Sequence, residues 1–354
     1  MRASDTPLVL VTGGAGFLGS ALVRRLVADG HRVRVVDDFS RGVPGRIDGL
    51  PVELQSGDVR SMDVAERACR GVDVVIHMAA INGTRHFYER PFEVLEVGVL
   101  GTMNFLRAAS SAGVRRFQFF SSSEIYQKPS RVPTPEDERA LIPDVLNPRF
   151  SYAGSKLVGE LLVVNFARAT ELAWQVIRPH NIYGPDMGHE HVIPEIVARL
   201  YRASDGLRTP HVPSIEIQGT GEERRAFCYI DDAVDGITLA LESDAWNRIF
   251  HLGTSEEMSI REVVGHIARA MGIELDEIIA GPVAEGGTDR RCPDIRALGE
   301  LGYTPSVPFS DGIARSVSWY VDESARLAAP GVRHDHEGSL SAGAGRSWVR
   351  GQTA

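Results

Sequence analysis

One short stretch of the sequence carries residue types suited to proton transfer. YAGSK, residues 152–156, places Tyr152 and Lys156 four residues apart at the start of a predicted helix, and therefore on one face of it. An ammonium group beside a phenol lowers the pKa of the phenol, and a bound cationic ring would lower it further. A phenolate formed in this way can take a proton from a substrate hydroxyl. The spacing therefore predicts a general base at Tyr152.

A second polar stretch, SSSEIYQ at 121–127, follows an apolar run at 116–120 that reads as a buried strand. Ser122, Ser123 and Glu124 are unfavourable in a hydrophobic core, because a buried polar group costs free energy unless it has a hydrogen-bond partner. Polar residues at a strand end therefore predict a site rather than a core.

Glycines mark a third feature, VLVTGGAGFLGS at 9–20. Gly13, Gly16 and Gly19 stand between a predicted strand and a predicted helix. In this arrangement glycines permit a tight turn, a close approach of the backbone to a pyrophosphate and close packing of the helix on the strand. The helix N-terminus that follows, at Phe17 and Leu18, offers N–H groups to an anion. The pattern predicts a dinucleotide site.

Acidic residues follow the next two strands. Asp37, at the end of the second strand, is placed to accept hydrogen bonds from the adenosine ribose and to repel a 2′-phosphate, which favours NAD over NADP. Asp38 can share this role, and the nearby Arg41 leaves some tolerance of NADP open. Asp58, after the third strand, is placed to meet the adenine.

The elements that position these residues alternate along the first half of the chain. Strands are predicted at Leu8–Thr12, Arg32–Asp37, Val52–Gln55, Val72–Met78, Arg116–Ser121 and Trp174–Arg178. Helices are predicted between them at Phe17–Asp29, Ser61–Cys69, Pro91–Ala112 and Tyr152–Thr170. Such alternation predicts an α/β fold, a doubly wound parallel (Rossmann) sheet.

The regular alternation of predicted strands and helices ends after Pro179. The less regular pattern that follows predicts a smaller C-terminal substrate-binding lobe. We expect a loop at Asn181–His191, helices at Val192–Tyr201, Ser259–Met271 and Asp311–Tyr320, and a strand at Ile215–Gln218. The predicted division assigns 7–180 to the NAD-binding domain, with 225–253 returning to it, and 181–224 and 254–325 to the lobe. The stretch 326–354, rich in Gly, Ser and Arg, predicts a disordered tail.

Composition narrows the class of protein. A formal charge of −9 argues against a nucleic-acid partner, which requires a basic face. Three scattered cysteines indicate reduced thiols rather than a disulfide framework. We find no apolar stretch of transmembrane length and no signal-peptide core, so we expect a cytoplasmic protein without a membrane partner.

Taken together, the motifs resemble those of the extended short-chain dehydrogenase/reductases, in the nucleotide-sugar epimerase/dehydratase branch. The similar segments, in order, are TGGAGFLGS at 12–20, Asp37, GDV at 57–59, HMAA at 77–80, SSSEIY at 121–126, YAGSK at 152–156, RPHNIYGP at 178–185, ERRAFCYIDD at 223–232 and RRCPD at 290–294. The resemblance spans roughly residues 8–320. It implies an enzyme that uses NAD and acts on a nucleotide-diphosphate sugar.

The resemblance also implies roles for individual residues. Ser122 corresponds to a catalytic residue that shares a hydrogen bond with the substrate hydroxyl, Tyr152 to the base, and Lys156 to its partner, which also holds the nicotinamide ribose. Cofactor contacts are implied at Gly13, Gly16, Phe17, Leu18, Gly19, Asp37, Asp38, Asp58, Val59, Met78, Ala79, Ala80, Tyr152, Lys156 and Pro179. Substrate contacts are implied at Asn82, Ser123, Asn181, His191, Val192, Arg225 and Arg291, the two arginines as a diphosphate clamp.

Glu124 divides the possible reactions. A C4 epimerase that works through a transient 4-keto sugar is the favoured interpretation. Once C4 is a ketone, however, a carboxylate can remove the C5 hydrogen. Related 4,6-dehydratases and uronate decarboxylases carry a Glu at the matching position, so either activity is an alternative, with Glu124 then catalytic. A 4-ketoreductase and a non-catalytic NAD(H)-binding sensor also remain open.

Two local features depart from the pattern. Gly98 stands where relatives usually carry Asn ahead of VxGT, in a region that organises the cofactor and the catalytic residues. His189, Glu190 and His191 lie in the loop expected to close over the hexose, but their spacing is not that of a metal motif, and we predict no metal. The resemblance further implies a homodimer through helices around 92–112 and 152–170.

Overall fold

Apolar strands and amphipathic helices alternate through the first half of the chain. The computed structural model describes residues 6–282 and 287–328. Its strands are β1 Leu8–Thr12, β2 Arg32–Asp37, β3 Val52–Ser56, β4 Val74–His77, β5 Arg116–Phe120, β6 Ala173–Pro179, β7 Ile182–Tyr183, β8 His211–Ile217, β9 Arg224–Ala226, β10 Cys228–Tyr229, β11 Arg248–Leu252, β12 Glu257–Ser259, β13 Glu274–Ala280 and β14 Arg290–Arg291. Its α-helices are α1 Phe17–Ala28, α2 Met62–Cys69, α3 Thr84–Glu89, α4 Pro91–Leu95, α5 Gly101–Ser111, α6 Ser151–Arg168, α7 Val192–Ala203, α8 Ile230–Glu242, α9 Ile260–Ala270, α10 Arg296–Gly299 and α11 Phe309–Ala328.

Seven strands form one sheet in the order β11-β6-β5-β4-β1-β2-β3, and all of their pairings are parallel. The chain moves outward from β1 through β2 to β3, and then returns to β4 on the other side of β1. Ligands of such sheets bind outside the carboxyl ends of the strands where the order reverses, here between β1 and β4. The predicted doubly wound parallel sheet is confirmed.

Short sheets make up the rest of the described strands. β13 pairs with β8, β10 with β7, and β9 lies between β12 and β14. β11 comes from the second half of the chain and joins the large sheet beside β6. The domain boundaries given above remain a prediction.

Several predicted boundaries are wrong in an informative way. Pro91–Ala112 is not one regular helix, because a π-helical turn at Glu96–Leu100 separates α4 from α5. The predicted loop Asn181–His191 contains the short strand β7, which pairs with β10 far along the chain. Helix α11 continues to Ala328, so the predicted tail does not begin at 326. Residues 329–354, the rest of that prediction, lie outside the described residues.

Apolar side chains bury both faces of the sheet. Alternate residues of β1 point to opposite sides, so Leu10 packs with Phe105 and Phe117 on one face, while Val11 packs with Leu22 and Ile237 on the other. A third apolar cluster lies among α7, α9 and α11 and includes Val197, Val263 and Ile313. Two cores thus hold the sheet between helical layers, and the third supports the C-terminal elements.

Helix α6 lies unusually close to strand β5, and a glycine makes this possible. Gly159 faces the ring of Phe119, and an added Cβ would overlap that ring. Two turns of the same helix also carry the buried Lys156 and Glu160. The approach of α6 to the sheet therefore positions side chains that matter for the site described below.

A pair of glycine substitutions tests this packing. Gly159→Ala should lower the free energy of unfolding by about 1–3 kcal/mol, because the new methyl group overpacks the contact with Phe119. Gly265 lies in helix α9 with no heavy atom within 4 Å of an added Cβ, so Gly265→Ala should leave stability unchanged or raise it by up to about 1 kcal/mol. Urea denaturation of both variants measures the difference. Equal effects of the two substitutions would contradict the close approach of α6.

Candidate active site

A cavity of about 450 Å³ opens at the carboxyl ends of β1, β2, β4 and β5. Each of these strands contributes the residues at its end to the wall. Of the residues predicted as a site, the lining includes Gly13, Gly16, Phe17, Leu18, Gly19, Asp37, Asp38, Val59, Met78, Ala79, Ala80, Asn82, Ser122, Ser123, Glu124, Tyr152, Lys156, Pro179, Asn181, His191 and Arg291. The topology therefore gathers residues from positions 13 to 291 in one cavity.

The glycine turn after β1 forms one wall of the cavity. Gly13 has φ +71°, a conformation that side chains disfavour, and an added Cβ would lie 3.0 Å from the backbone of Ala79. An added Cβ at Gly19 would overlap the carbonyl of Gly13. The turn is thus a cradle that only glycine permits, and helix α1 begins directly after it. This backbone suits a dinucleotide pyrophosphate.

The carboxylate of Asp37 fastens the neighbouring loop. It accepts hydrogen bonds from the backbone N–H groups of Ala15 and Phe39, both at 2.9 Å. Burial raises the pKa of Asp37, and these two hydrogen bonds act in the opposite direction. Each carboxylate oxygen can accept a further hydrogen bond. Asp37 and the adjacent Asp38 are therefore placed where a ribose could bind, and the residues present fit NAD.

Asp58 does not reach the cavity, although its neighbours Gly57 and Val59 line it. The side chain of Arg60 binds the Asp58 carboxylate at 2.6 Å and lowers its pKa. The contact between Asp58 and adenine stays a prediction.

Tyr152 and Lys156 lie on the buried face of α6. Tyr152 is 7% exposed, and its ring stacks on that of Phe87 at 5.1 Å between centroids. Lys156 Nζ lies 5.6 Å from the centroid of the Tyr152 ring and donates a hydrogen bond of 2.8 Å to the carbonyl of Phe120. Phe87 was not predicted, because nothing in the sequence of the α3 segment marks it as a partner of the tyrosine.

The pKa of the Tyr152 phenol is raised in this structure, and Lys156 is not among the causes that shift it. Burial raises the pKa of the phenol and the negative charge of Glu124 raises it further, while a hydrogen bond with Ser122 and the charge of Arg41 act against both. Burial also lowers the pKa of Lys156, to about 7. An amine with this pKa is a weak source of positive charge, because its ammonium group is desolvated and its proton is directed at the Phe120 carbonyl.

Glu124 and Arg291 form an ion pair inside the cavity. Arg291 Nη1 lies 2.6 Å from Glu124 Oε1. Burial alone would raise the pKa of Glu124, but the charges of Arg291, Arg149 and Arg225 outweigh it and leave the pKa lowered. Arg291 also donates to the Thr288 hydroxyl at 3.1 Å. The carboxylate beside Tyr152 is therefore ionised, and three guanidinium groups hold it so.

Two predicted substrate residues do not line the cavity. Val192 is the first residue of α7 and packs against the third apolar cluster. Arg225 directs its side chain to the backbone carbonyls of Arg224 and Thr288. Arg225 and Arg291 are neighbours where β9 pairs with β14, although Arg291 binds Glu124 and Arg225 binds backbone carbonyls. Their role as a diphosphate clamp stays a prediction.

Other predicted residues lie in the wall with their side chains engaged. Asn82 accepts a hydrogen bond from the Gly83 N–H at 2.8 Å, and Asn181 donates to the Ala226 carbonyl at 3.1 Å. His191 precedes helix α7, and burial lowers its pKa to about 4. Within residues 6–282 and 287–328, no group of three or more His, Cys, Asp or Glu is placed to hold a metal ion.

Gly98 has a structural reason at the position where relatives usually carry Asn. It lies in the π-helical turn, and an added Cβ would be 2.6 Å from both Cβ and Oγ of Ser155. Ser155 stands between the two site residues of α6 and donates to the Tyr152 carbonyl at 2.8 Å. A larger side chain at 98 would therefore displace the helix that carries Tyr152.

The lowered pKa of Lys156 predicts a pH dependence of stability. Above pH 7 the folded state loses this proton, whereas the unfolded lysine keeps it up to its ordinary pKa of 10.5, so the unfolded state binds more protons and stability rises with pH. The unfolding free energy of the protein minus that of Lys156→Met should increase by up to about 1.4 kcal/mol per pH unit between pH 7 and 9. Urea denaturation across this range measures it. A constant difference would contradict the desolvated amine.

Comparison with known proteins agrees with this geometry. The model of the "NAD dependent epimerase/dehydratase family" matches residues 9–253. A UDP-glucose 4-epimerase of Mycolicibacterium smegmatis is 34% identical over 89% of this chain and 99% of its own length. A UDP-N-acetyl-alpha-D-glucosaminuronate decarboxylase of Bacillus cytotoxicus is 31% identical over 88% of this chain and 97% of its own. Relatives of similar identity thus catalyse different reactions.

The similar solved structures are likewise of enzymes named for different reactions. A dTDP-glucose 4,6-dehydratase from Streptomyces venezuelae with NAD bound superposes with a TM-score of 0.80, at 30% identity over 90% of this chain and 98% of that one. A UDP-glucose 4-epimerase from Thermotoga maritima with UDP-glucose superposes with a TM-score of 0.79, at 26% identity over 90% of this chain and 99% of that one. The prediction of NAD as the cofactor is confirmed. By its sequence, its sheet and its glycine turn, the chain belongs to the NAD dependent epimerase/dehydratase family.

Proposed function

We propose that the protein is a nucleotide-sugar epimerase that inverts C4 through a transient 4-keto sugar. The observation that carries this proposal is that Tyr152, Ser122 and the glycine turn line one cavity, with Tyr152 buried and near enough to Ser122 for the serine to lower the pKa of the phenol. This arrangement suits removal of a hydroxyl proton from a sugar held beside a dinucleotide. NAD, when bound, accepts the hydride from C4 and returns it.

In this proposal Tyr152 is the base and Ser122 orients the hydroxyl that reacts. The Ser122 backbone is extended, and its side chain accepts a hydrogen bond from the Glu124 N–H at 3.2 Å. This hydrogen bond holds the hydroxyl just beyond the carboxyl end of β5. Because burial raises the pKa of the Tyr152 phenol, its deprotonation needs a positive charge in the cavity. Lys156 stabilises the site through its hydrogen bond to the Phe120 carbonyl. Its amine would bind the nicotinamide ribose when it is released from that carbonyl.

The substrate class is a nucleoside diphosphate sugar, as the relatives' names suggest. Cations in and beside the cavity support this class, since arginine suits a diphosphate. Arg291 would have to exchange its contact with Glu124 for the substrate or share itself between the two. Which base and which hexose bind is left to the experiment below.

A second candidate reaction uses Glu124 at C5, as a 4,6-dehydratase or a uronate decarboxylase. In its favour, Glu124 lines the same cavity as Tyr152. Against it, the ion pair with Arg291 lowers the pKa of Glu124, and a carboxylate held in this way is a weak base. The ion pair is the reason that we prefer simple epimerisation. A 4-ketoreductase would consume cofactor stoichiometrically, and a sensor would not require the pair of Tyr152 and Ser122.

A homodimer remains a prediction. Helices α4 and α6 expose apolar side chains on one side, among them Phe92 and Leu161, which are 72% and 56% exposed. Unpaired apolar surface of this kind supports an interface between two copies of the chain. In the described parts of the chain we find no helix long and apolar enough to cross a membrane.

Removal of one hydroxyl group tests the base. Tyr152→Phe should lower kcat by about 10²–10⁴-fold, because it removes proton transfer while keeping the stacked ring. The affinity for NAD⁺ should change little. Tyr88, which is 48% exposed on α3, supplies the control variant Tyr88→Phe with unchanged kcat. Turnover of Tyr152→Phe within threefold of the unsubstituted protein would exclude Tyr152 as the base.

Turnover in D₂O tests the reaction. We expect NMR of a panel of UDP-, GDP- and dTDP-sugars to reveal inversion at C4 with no deuterium at C5 and no net consumption of cofactor. Loss of the 6-hydroxyl, release of CO₂ or deuterium at C5 would favour the second candidate. Glu124→Gln removes the carboxylate in either case. If Glu124→Gln still inverts C4, Glu124 serves to bind Arg291. If the variant forms no product and the unsubstituted protein exchanges the C5 hydrogen, Glu124 is the base at C5.

A further inference from the structure

Arg41 is a cation of the cavity whose ion pair with Glu190 is long. It lies in the loop after β2 and lines the cavity. Its Nη1 is buried without a hydrogen-bond partner among the described residues, and the Glu190 carboxylate is 4.0 Å from Nη2. Arg46, five residues later, differs in this respect, because it binds Asp186 at 2.7 Å through both Nε and Nη2. A buried donor left without an acceptor is costly, so Arg41 suits an acceptor that the described part of the chain does not supply.

The loop that carries Arg41 packs directly against the glycine turn. Val43 donates a backbone hydrogen bond of 3.0 Å to the carbonyl of Ala15, and an added Cβ at Gly42 would lie 2.9 Å from Cβ of Ala15. On the other side, Arg41 Nη1 would be 3.3 Å from a Cβ at Gly83, in the segment that follows β4. The guanidinium therefore reaches from β2 across the crevice between β1 and β4.

The surroundings of Arg41 favour an anion of more than one charge. Burial lowers its pKa, and the charges of Arg90 and Arg46 act in the same direction, while Glu190 opposes them. Arginine stays protonated in proteins, so the excess positive charge persists. A planar guanidinium that shares a cavity with the backbone N–H groups of the glycine turn matches the oxygens of a phosphate.

We propose that Arg41 binds a diphosphate, and that this diphosphate is the pyrophosphate of the dinucleotide on the glycine turn. A nucleoside diphosphate sugar offers the same chemistry, but the packing of the Arg41 loop against Ala15 of the glycine turn, through Gly42 and Val43, favours the cofactor. The assignment rests on cofactor binding alone. It therefore stands or falls independently of the reaction proposed above, and its test contains no sugar and no turnover.

Isothermal titration of the full-length protein, freed of copurified dinucleotide, tests the proposal with NAD⁺, ADP and adenosine. Arg41→Gln should weaken NAD⁺ and ADP by about 10- to 100-fold, the loss expected for one charge-assisted hydrogen-bonding group. Adenosine, which has no phosphate, should bind with unchanged affinity, and this also shows that the variant is folded. Arg41→Lys keeps the charge without the planar fork and should lose less. Arg67→Gln removes an exposed arginine of α2 and should leave all three affinities unchanged.

Each other outcome overturns the assignment. Unchanged NAD⁺ affinity excludes the contact. An equal loss for adenosine indicates distortion of the loop. Weaker binding of NADP⁺ alone would indicate that Arg41 binds a 2′-phosphate instead. Weaker binding of UDP with unchanged NAD⁺ affinity would indicate that Arg41 binds the substrate diphosphate.

The salt dependence of NAD⁺ binding gives a further check. A lower salt dependence in Arg41→Gln than in the unsubstituted protein would support the charge contact.

Discussion

The hydrogen bond from Lys156 to the carbonyl of Phe120 is the constraint on which the site depends. Phe120 is the last residue of β5, and Ser122 follows two residues later. The hydrogen bond therefore fixes the position of α6 relative to the end of β5. Tyr152 lies one turn before Lys156 on the same face and is thereby brought to Ser122. Gly159 lets the helix come close enough for the bond to form, and Gly98 leaves room for Ser155 on the opposite side. The position of the phenol thus follows from backbone packing around one amine.

Below this contact, a buried polar network ties the helix to the sheet. Arg178 on β6 binds both carboxylate oxygens of Glu160 at 2.9 and 2.6 Å and also donates to the Tyr126 hydroxyl. The Tyr126 hydroxyl meets His251 of β11 at 2.7 Å. Removal of any member would leave a buried partner unsatisfied, which costs more than the net contribution of the hydrogen bond itself. The segment that carries Ser122 and Glu124 is therefore anchored at its far end.

The chain is acidic as a whole, with a formal charge of −9, yet its cavity is bordered by arginines. Most are neutralised by the protein, as Arg46 is by Asp186 and Arg291 by Glu124. Neutralised cations can exchange a carboxylate for a phosphate without leaving a bare charge buried. Net charge therefore says little about the ligand, because the charges that a ligand meets are those within a Debye length, inside a low-dielectric cleft.

The parallel sheet, the glycine turn and the buried face of α6 can be predicted from local sequence, because each follows from a local period or from a backbone conformation that few residues permit. The bounds of β1 and β2 were predicted correctly for that reason. Only the tertiary structure decided which charges meet. The pairing of Arg291 with Glu124, 167 residues apart, the pairing of β9 with β14 that places Arg225 beside Arg291, and the position of Arg41 near Glu190 depend on contacts between distant segments. No local pattern encodes such pairs, since desolvation and partner choice are properties of the folded surroundings of a side chain rather than of its neighbours in sequence.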